Sequence, residues 1–427
     1  MTETPVKVGH YRARAASRSR RFSFCPLSDS PTTSTGSLHT LSLSSNWQVH
    51  WSSAIREGID NWNQLAPVDN LFVSKEYFEL LDELDLGGVD TGFAVFEHPE
   101  HGTFGIVLQV FSFNPEEQMG KLDQNEQYGK FESLVGRVKD KLAQILRFRI
   151  LSLGQLLLTG DHARRGAPDL PPAELTSLLA EGSEAIAQVW PERLHGIMIK
   201  DMPLAEHPKQ HRYHPLPVQP NMVLTLPQEW TGFDDYLQAM SSKYRVRVRR
   251  ARKKGQSIQR REMDLAEIQD RQEHMFSLYQ EIASQSDFNA VALPENYFTT
   301  WKRRFEDRFR IWGYFFEGKL IGFATAVYNH HELEAHFLGF DAAYNRSHQL
   351  YLNILYDLVE EGIAAGAEVI TFSRTALEIK SSVGAEAQEL YCWMRARVAI
   401  ANPLVPIVAR FIAPLPEWEA RHPFKSK

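Results

Sequence analysis

The segment HPKQHRYHPLPVQP (207–220) carries four prolines and three histidines and interrupts every apolar period around it. Proline removes a backbone donor and fixes φ, so this stretch reads as a connection between two folded parts. It divides 427 residues into two lengths that each suit a core of their own. Before it, NWQVHW (46–51), TGFAVFEH (91–98), GTFGIVLQVFSF (102–113), LRFRILSLGQLLL (146–158) and HGIMIKDMP (195–203) read as strands, and SKEYFELLDEL (74–84) and PPAELTSLLAEGSEAIAQVW (171–190) as helices. PEHG between the second and third strands is hairpin chemistry. After the connection the pattern restarts with NMVLTL as a strand and TGFDDYLQAM as a helix capped by Thr231 and Asp234. A basic helix closed by Gly255 follows, then helices at about 265–286 and 295–307, two strands in 309–329, the strand ELEAHFLGF, a helix in 348–367, the strand EVITFS, a short helix and a last strand ELYCWMRAR. Strands and helices alternate, which predicts mixed α/β layers in both parts.

Residues 1–45 are rich in Ser, Thr and Arg without a sustained period and read as a disordered tail. That tail holds a local +4 of the net −6, which leaves −10 for the body, and an acidic body disfavours general polynucleotide binding. No apolar run approaches the ~18 residues that span a bilayer. Cys25 and Cys392 stand far apart without neighbouring ligands, so neither a disulfide framework nor a thiolate zinc site is expected, and a reducing, cytoplasmic compartment fits. The run VAIANPLVPIVARFIAPLPEW (398–418) is apolar, broken by proline and sparsely charged; it either packs along the first domain or touches a bilayer interface.

Several segments can carry chemistry. HELEAH (331–336) sets its histidines five apart, on opposite faces of a strand, so it is no metal motif. As a strand it places Glu334 and His336 on one face with Leu338, and a histidine there is either a general base or a hydrogen-bonded core residue. In ITFSRTALEIKSSVG (370–384) a buried strand ends at Phe372, Thr375 and Glu378 form a capping pair, and Arg374 and Lys380 bracket a short helix that suits an oxyanion or phosphate. KYRVRVRRARKKG (243–255) has eight Lys or Arg in thirteen positions and no acid, so its own helix provides no i, i+4 ion pairs.

The stretches SSKYRVRVRRARKKG, HFLGFDAAYN, LYLNILYDLVEEGI and FSRTALEIKSSVGA, in that order, resemble the BioF2-like and Fem-related branch of the GNAT superfamily. The resemblance implies an α/β (α+β) fold of two tandem GNAT-like domains, each a mixed central sheet flanked by helices, with a cleft between them. The expected boundaries are 46–221 and 222–398, with a C-terminal extension over 399–427. It also implies transfer of an acyl or aminoacyl group to an amine. Lys380 matches by position a lysine in the active cleft of Fem relatives, and Tyr244 and Arg245 match a basic segment that holds a phosphate-bearing acceptor. DAAYNRSHQ lacks the Gly-rich pyrophosphate loop of CoA-dependent members, which leaves the donor open.

The resulting expectation is an N-acyltransferase of a bacterial cytoplasm, at most peripheral on the inner face of the membrane, acting by direct amine attack without a covalent enzyme intermediate. Lys380, His336 and Arg374 are the catalytic candidates; Tyr244, Arg245, Arg247, Glu334 and Tyr351 are the substrate-binding ones. Arg252, Lys253 and Lys254 read as a wet surface. No metal or tightly bound cofactor is expected; acyl-CoA or another activated acyl donor is the co-substrate, and the acceptor is a small-molecule or lipid-linked amine. DNA is excluded, and aminoacyl-tRNA ranks below other donors because the long helical arm of Fem tRNA users is absent. The competing expectation is a non-catalytic protein whose basic helix binds RNA or anionic lipid headgroups.

Overall fold

The computed structural model describes residues 38–113, 148–202, 208, 211–284, 291–412 and 415–425. The first lobe is built, in chain order, from β1 (His39–Ser42), β2 (Gln48–Ser52), α1 (Ile55–Gln64), α2 (Lys75–Leu84), β3 (Val89–His98), β4 (Gly102–Phe113), β5 (Phe148–Leu153), β6 (Arg164–Arg165), α3 (Pro172–Val189), β7 (Gly196–Met202) and β8 (His214–Pro217). The second lobe continues with β9 (Asn221–Thr225), α4 (Phe233–Ala239), α5 (Ser242–Gly255), β10 (Gln259–Glu262), α6 (Leu265–Asp270), α7 (Gln272–Ala283), α8 (Tyr297–Phe305), β11 (Phe309–Phe316), β12 (Lys319–Asn329) and β13 (Glu332–Phe340). The chain ends with α9 (Ala342–His348), α10 (Leu350–Ala364), β14 (Val369–Thr371), α11 (Leu377–Ser382) and β15 (Glu386–Gln388), and then with β16 (Tyr391–Ala396) and α12 (Val405–Ile412), which return to the first lobe.

Two mixed sheets result among the described residues. The first runs β1-β2-β3-β4-β5-β7-β16-β8, with β6 on β4; the second runs β10-β11-β12-β13-β14-β9-β15. Each contains a single parallel pair, β5–β7 and β13–β14, and is otherwise antiparallel. A parallel pair needs a crossover, and helices supply it: α3 between β5 and β7, α9 and α10 between β13 and β14.

Four expectations are corrected here. β1 lies inside the stretch read as tail, pairing His39 to Ser42 with Trp51 to Gln48; the rest of that stretch up to 37, Cys25 included, is outside the described residues. The proline-rich connection contributes β8, an edge strand, where missing donors are tolerated. β16, read as the last strand of the second part, sits in the first sheet between β7 and β8. The long helix at 265–286 is broken at Arg271 into α6 and α7.

One core fills the first lobe and continues across the junction: Phe72, Tyr77 and Phe78 share it with Tyr297, Trp301, Phe309 and Phe323. Trp301 meets Tyr77 at 5.7 Å and Phe72 at 6.4 Å between ring centres. Each fully buried phenylalanine contributes about 1.5–3 kcal/mol, so the lobes are fastened by packing. On the rim, Arg304 reaches Glu79 at 2.9 Å and Glu83 at 3.0 Å, and Arg303 also pairs with Glu83. The second core lies on the other face of the second sheet and is covered by α4, α5 and α10 through Tyr236, Tyr244, Val248, Leu355 and Tyr356.

Local chemistry explains several joints. Asp235, not Asp234, caps α4, accepting from Thr231 N at 2.8 Å, Thr231 Oγ1 at 3.0 Å and Gly232 N at 3.2 Å. Gly255 does not take a left-handed φ; a Cβ there would stand 2.6 Å from Asn353 Nδ2, so the glycine permits α5 to approach α10. Gly339 serves the same purpose, since its Cβ would stand 2.5 Å from Tyr279 N of α7. The C-terminal run packs: α12 lies against β8 and β16, while Trp418 and Phe424 join the second core and Phe424 bridges Met240. No described helix is long and apolar enough to cross a membrane.

Candidate functional site

The buried charges gather where the ends of the two parallel pairs face each other. Lys380 on α11 is 5% exposed; its Nζ donates to the carbonyl of Arg374 and lies 3.4 Å from that of Ser373. Burial pushes its pKa down to about 7, against the pull of Glu334. Glu334 on β13 is 1% exposed, and burial together with the Glu332 charge raises its carboxyl well above the usual range. Ser373 Oγ donates to Glu334 Oε1 at 3.0 Å, while Glu334 Oε2 has no partner. Ser373 therefore bridges the lysine and the carboxyl, one through its carbonyl and the other through its hydroxyl.

The first lobe completes the cluster. Asp201 at the end of β7 is buried and accepts from Lys200 Nζ, Arg374 Nη2 and, at 3.0 Å, Gly160 N. Burial alone would raise its pKa, but the two cations hold it below the ordinary value. Lys200 Nζ also donates to Leu158 O at 2.6 Å. His162 is buried edge-on to Phe72 at 5.0 Å, and burial lowers its pKa, so it is a neutral imidazole at neutral pH. One ligand-type atom from each of His162, Glu332 and Glu334 lies within 4.8 Å of the others, and Glu332 is held by Thr371 Oγ1. The backbone here is unusual: Asp201, Ser373, Thr375 and Ala376 have φ of 59°, 55°, 68° and 48°. Left-handed non-glycine residues cost about 1 kcal/mol or more each and persist where surrounding contacts over-determine them.

Of the expected site residues, the fold brings Lys380, Arg374 and Glu334 together. Arg374 donates from Nη2 to Asp201, while its buried Nε has no partner. His336 is the bland alternative realised. A bulge sets His336 and Phe337 opposite Thr325, whose Oγ1 bonds both N and O of Phe337 at 2.9 and 2.8 Å. His336 Nε2 and the Tyr297 hydroxyl are 2.7 Å apart, rings of Trp301, Phe309 and Phe337 surround it, and burial pushes its pKa down to about 3. It cannot take a proton near neutrality. The bulge also turns Leu338 to the face opposite Glu334, where it packs with Ala335 on the second core. The capping pair of Thr375 and Glu378 does not form: α11 starts from left-handed Ala376 without a side-chain cap, and Glu378 receives Glu419 N and Arg421.

The basic helix differs from expectation in its inward face. Tyr244 is buried in the second core, Arg245 donates to the Met240 carbonyl that precedes its own helix, and Arg247 is exposed. Arg252, expected to be wet, pairs with Asp357 and, at 3.2 Å, with Glu360 of α10 and lies over the rings of Phe233 and Tyr356. Arg247, Arg249, Arg250, Lys253 and Lys254 are exposed and make no ion pair with a described residue. Tyr351 stacks on Phe340 at 5.8 Å, and its N–H, near the start of α10, is taken by Asn345 Oδ1 at 3.1 Å.

Sequence reasoning missed His162, Lys200, Asp201, Glu332 and Ser373. The signal for Lys200 and Asp201 was present as two charges ending an apolar strand; His162 sits in an unpatterned loop.

Residues 242–381, from the basic helix through Lys380, match the family model of the acetyltransferase (GNAT) domain. No curated protein matches the chain. Among solved structures the chain is similar to FemX, at 10% identity over 81% of this chain and 95% of that one, with a TM-score of 0.48. It is also similar to L-PGS from Bacillus licheniformis (12% identity, 81% and 98%, TM-score 0.41) and to a GCN5-related N-acetyltransferase from Sphaerobacter thermophilus (10%, 75% and 85%, 0.39).

Proposed function

We propose that the protein transfers an acyl or aminoacyl group to the amine of a phosphate-bearing or lipid-linked acceptor at the seam between its lobes. The observation that carries this reading is the Glu334–Ser373–Lys380 bridge inside the segment that matches the acyltransferase family. Burial raises the Glu334 carboxyl and lowers the Lys380 ammonium, so the two act as one couple in which Lys380 gives up its proton through about pH 7. In its neutral form Lys380 accepts the proton that the acceptor nitrogen sheds as it attacks. The amine nitrogen then bonds to the carbonyl carbon of a thioester or ester donor. Lys380, now an ammonium, faces the developing oxyanion. Collapse breaks the C–S or C–O bond, and the proton passes to the leaving group. Lys380 takes the base role expected of His336, Glu334 stabilises the resulting ammonium, and Arg374 with Asp201 fixes the loop that carries Ser373.

The donor is an activated acyl group whose carrier is not held by a Gly-rich loop. The capped start of α10 supports this, since Asn345 already uses the Tyr351 amide. The unpaired arginines of α5 support a phosphate on the acceptor or donor.

The test is a panel of acyl thioesters and amines with product detected by mass spectrometry, followed by kcat/KM against pH. Proton loss activates the couple, so the rate rises with pH through about 7. A rate that falls through that range, or a fully active Glu334→Gln enzyme, removes the assignment. The second reading, RNA held by the exposed arginines of α5, predicts instead a steep fall of affinity with salt and no transfer.

A further inference from the structure

Between Glu389 and Glu417 the chain has no acidic residue and three arginines, Arg395, Arg397 and Arg410. The same stretch is where apolar surface is left bare. Of the eleven large apolar side chains exposed among the described residues, six fall between Val398 and Leu415, with Ile400 87% and Ile407 65% exposed. Such clustering marks a contact face, whereas single exposed aliphatics are ordinary. At the foot of this face lies a cavity of about 300 Å³ lined by Arg212, Tyr213, His214, Arg395, Asn402 and Pro403. Its wall is built: Asn402 Nδ2 donates to Arg212 O at 3.0 Å, and Asn402 Oδ1 accepts from Ala396 N at 2.9 Å. His214 Nε2 is shielded there without a partner. Glu184 engages Arg395, but Arg212, Arg397 and Arg410 make no ion pair with a described residue.

We propose that this face is a docking site for the surface of an anionic phospholipid bilayer. Ile400, Leu404, Ile407 and Val408 enter the headgroup–acyl boundary, Arg397 and Arg410 meet lipid phosphates, and the cavity beside Arg212 receives one headgroup. Charge selects this occupant. A second copy would bring to this face the same acid-free stretch with its arginines and no anion from it to pair them, whereas an anionic surface complements all of them. The inference stands independently of the acyl-transfer reading, because it uses none of the seam residues.

Flotation of the full chain with phosphatidylcholine vesicles, with and without phosphatidylglycerol, tests it. Binding is expected to the anionic vesicles and to weaken with salt. Leu404→Asp with Ile407→Asp should lower affinity at least about tenfold. Arg397→Gln and Arg410→Gln should each lower it about fivefold and erase the preference for anionic lipid. These side chains are exposed, so thermal unfolding of the variants should match wild type and guard against misfolding. The proposal is overturned if the wild type stays with neither vesicle, if the double aspartate variant floats equally well, or if the face proves to be a dimer contact that the same variant breaks in analytical ultracentrifugation.

Discussion

The two sheets repeat one pairing scheme and put it to different uses. From β2 and from β10, three antiparallel pairings lead to a parallel pair, and then to an antiparallel strand brought from a distant part of the chain, β16 in the first sheet and β9 in the second. The ends of the parallel pairs differ in how completely their charges are matched. In the first lobe Asp201 is matched by Lys200 and by Nη2 of the Arg374 that reaches across, whose Nε is left without a partner. In the second, Glu334 keeps one bare oxygen and Lys380 reaches only carbonyls. A completed buried pair is scaffold, since nothing further can be gained by a ligand; a half-completed one retains the capacity to exchange a proton. On the proposed function, the first lobe braces and the second reacts.

That contrast can be broken from either side. The largest effect is expected at the reactive end: Lys380→Met should lower turnover about 10²–10⁴-fold while leaving the fold intact, because it removes a buried group whose charging burial opposes. The native lysine binds fewer protons than the unfolded one between about pH 7 and its ordinary pKa, so its presence makes stability rise with pH across that window. The methionine variant should lose that rise in chemical denaturation. Asp201→Asn attacks the brace and should cost about 3–5 kcal/mol in the same experiment, since it leaves Lys200 and Arg374 unmatched. Equal tolerance of both substitutions would erase the distinction between the lobes. Gly255→Ala should cost about 1–3 kcal/mol, because Asn353 is fixed by Ala251 O at 3.0 Å and His348 O at 3.1 Å and cannot yield. His336→Gln should be smallest, about 1 kcal/mol in stability with an unchanged pH–rate profile.

The longer strands and most helices of both lobes could be read from apolar period and turn residues, because those signals are local; α1, α9 and the short strands β6, β10 and β15 were not. Sheet membership could not. The pattern of ELYCWMRAR specifies a strand, but its neighbours β7 and β8 are set by the return of the chain to the first lobe. The same limit divides the site. Lys380, Glu334 and Arg374 were visible because they stand beside strand ends within one domain. His162, Lys200 and Asp201 reach them only through the junction packed around Trp301. His336 was misread because alternation assumes a regular strand, and the bulge opposite Thr325 breaks it. The acid-free run in α5 could not reveal that Asp357 and Glu360, over a hundred positions on, supply anions for Arg252.

The central claim is that Glu334 and Lys380 form a couple whose proton exchanges near neutral pH, and a titration of the Lys380 side-chain nitrogen by NMR in the ¹⁵N-lysine-labelled protein, assigned with Lys380→Met, tests it without any substrate. The account predicts a midpoint near 7 that falls further in Glu334→Gln, where the stabilising carboxylate is gone. A midpoint at the ordinary lysine value of about 10.4, unmoved by Glu334→Gln, would contradict it.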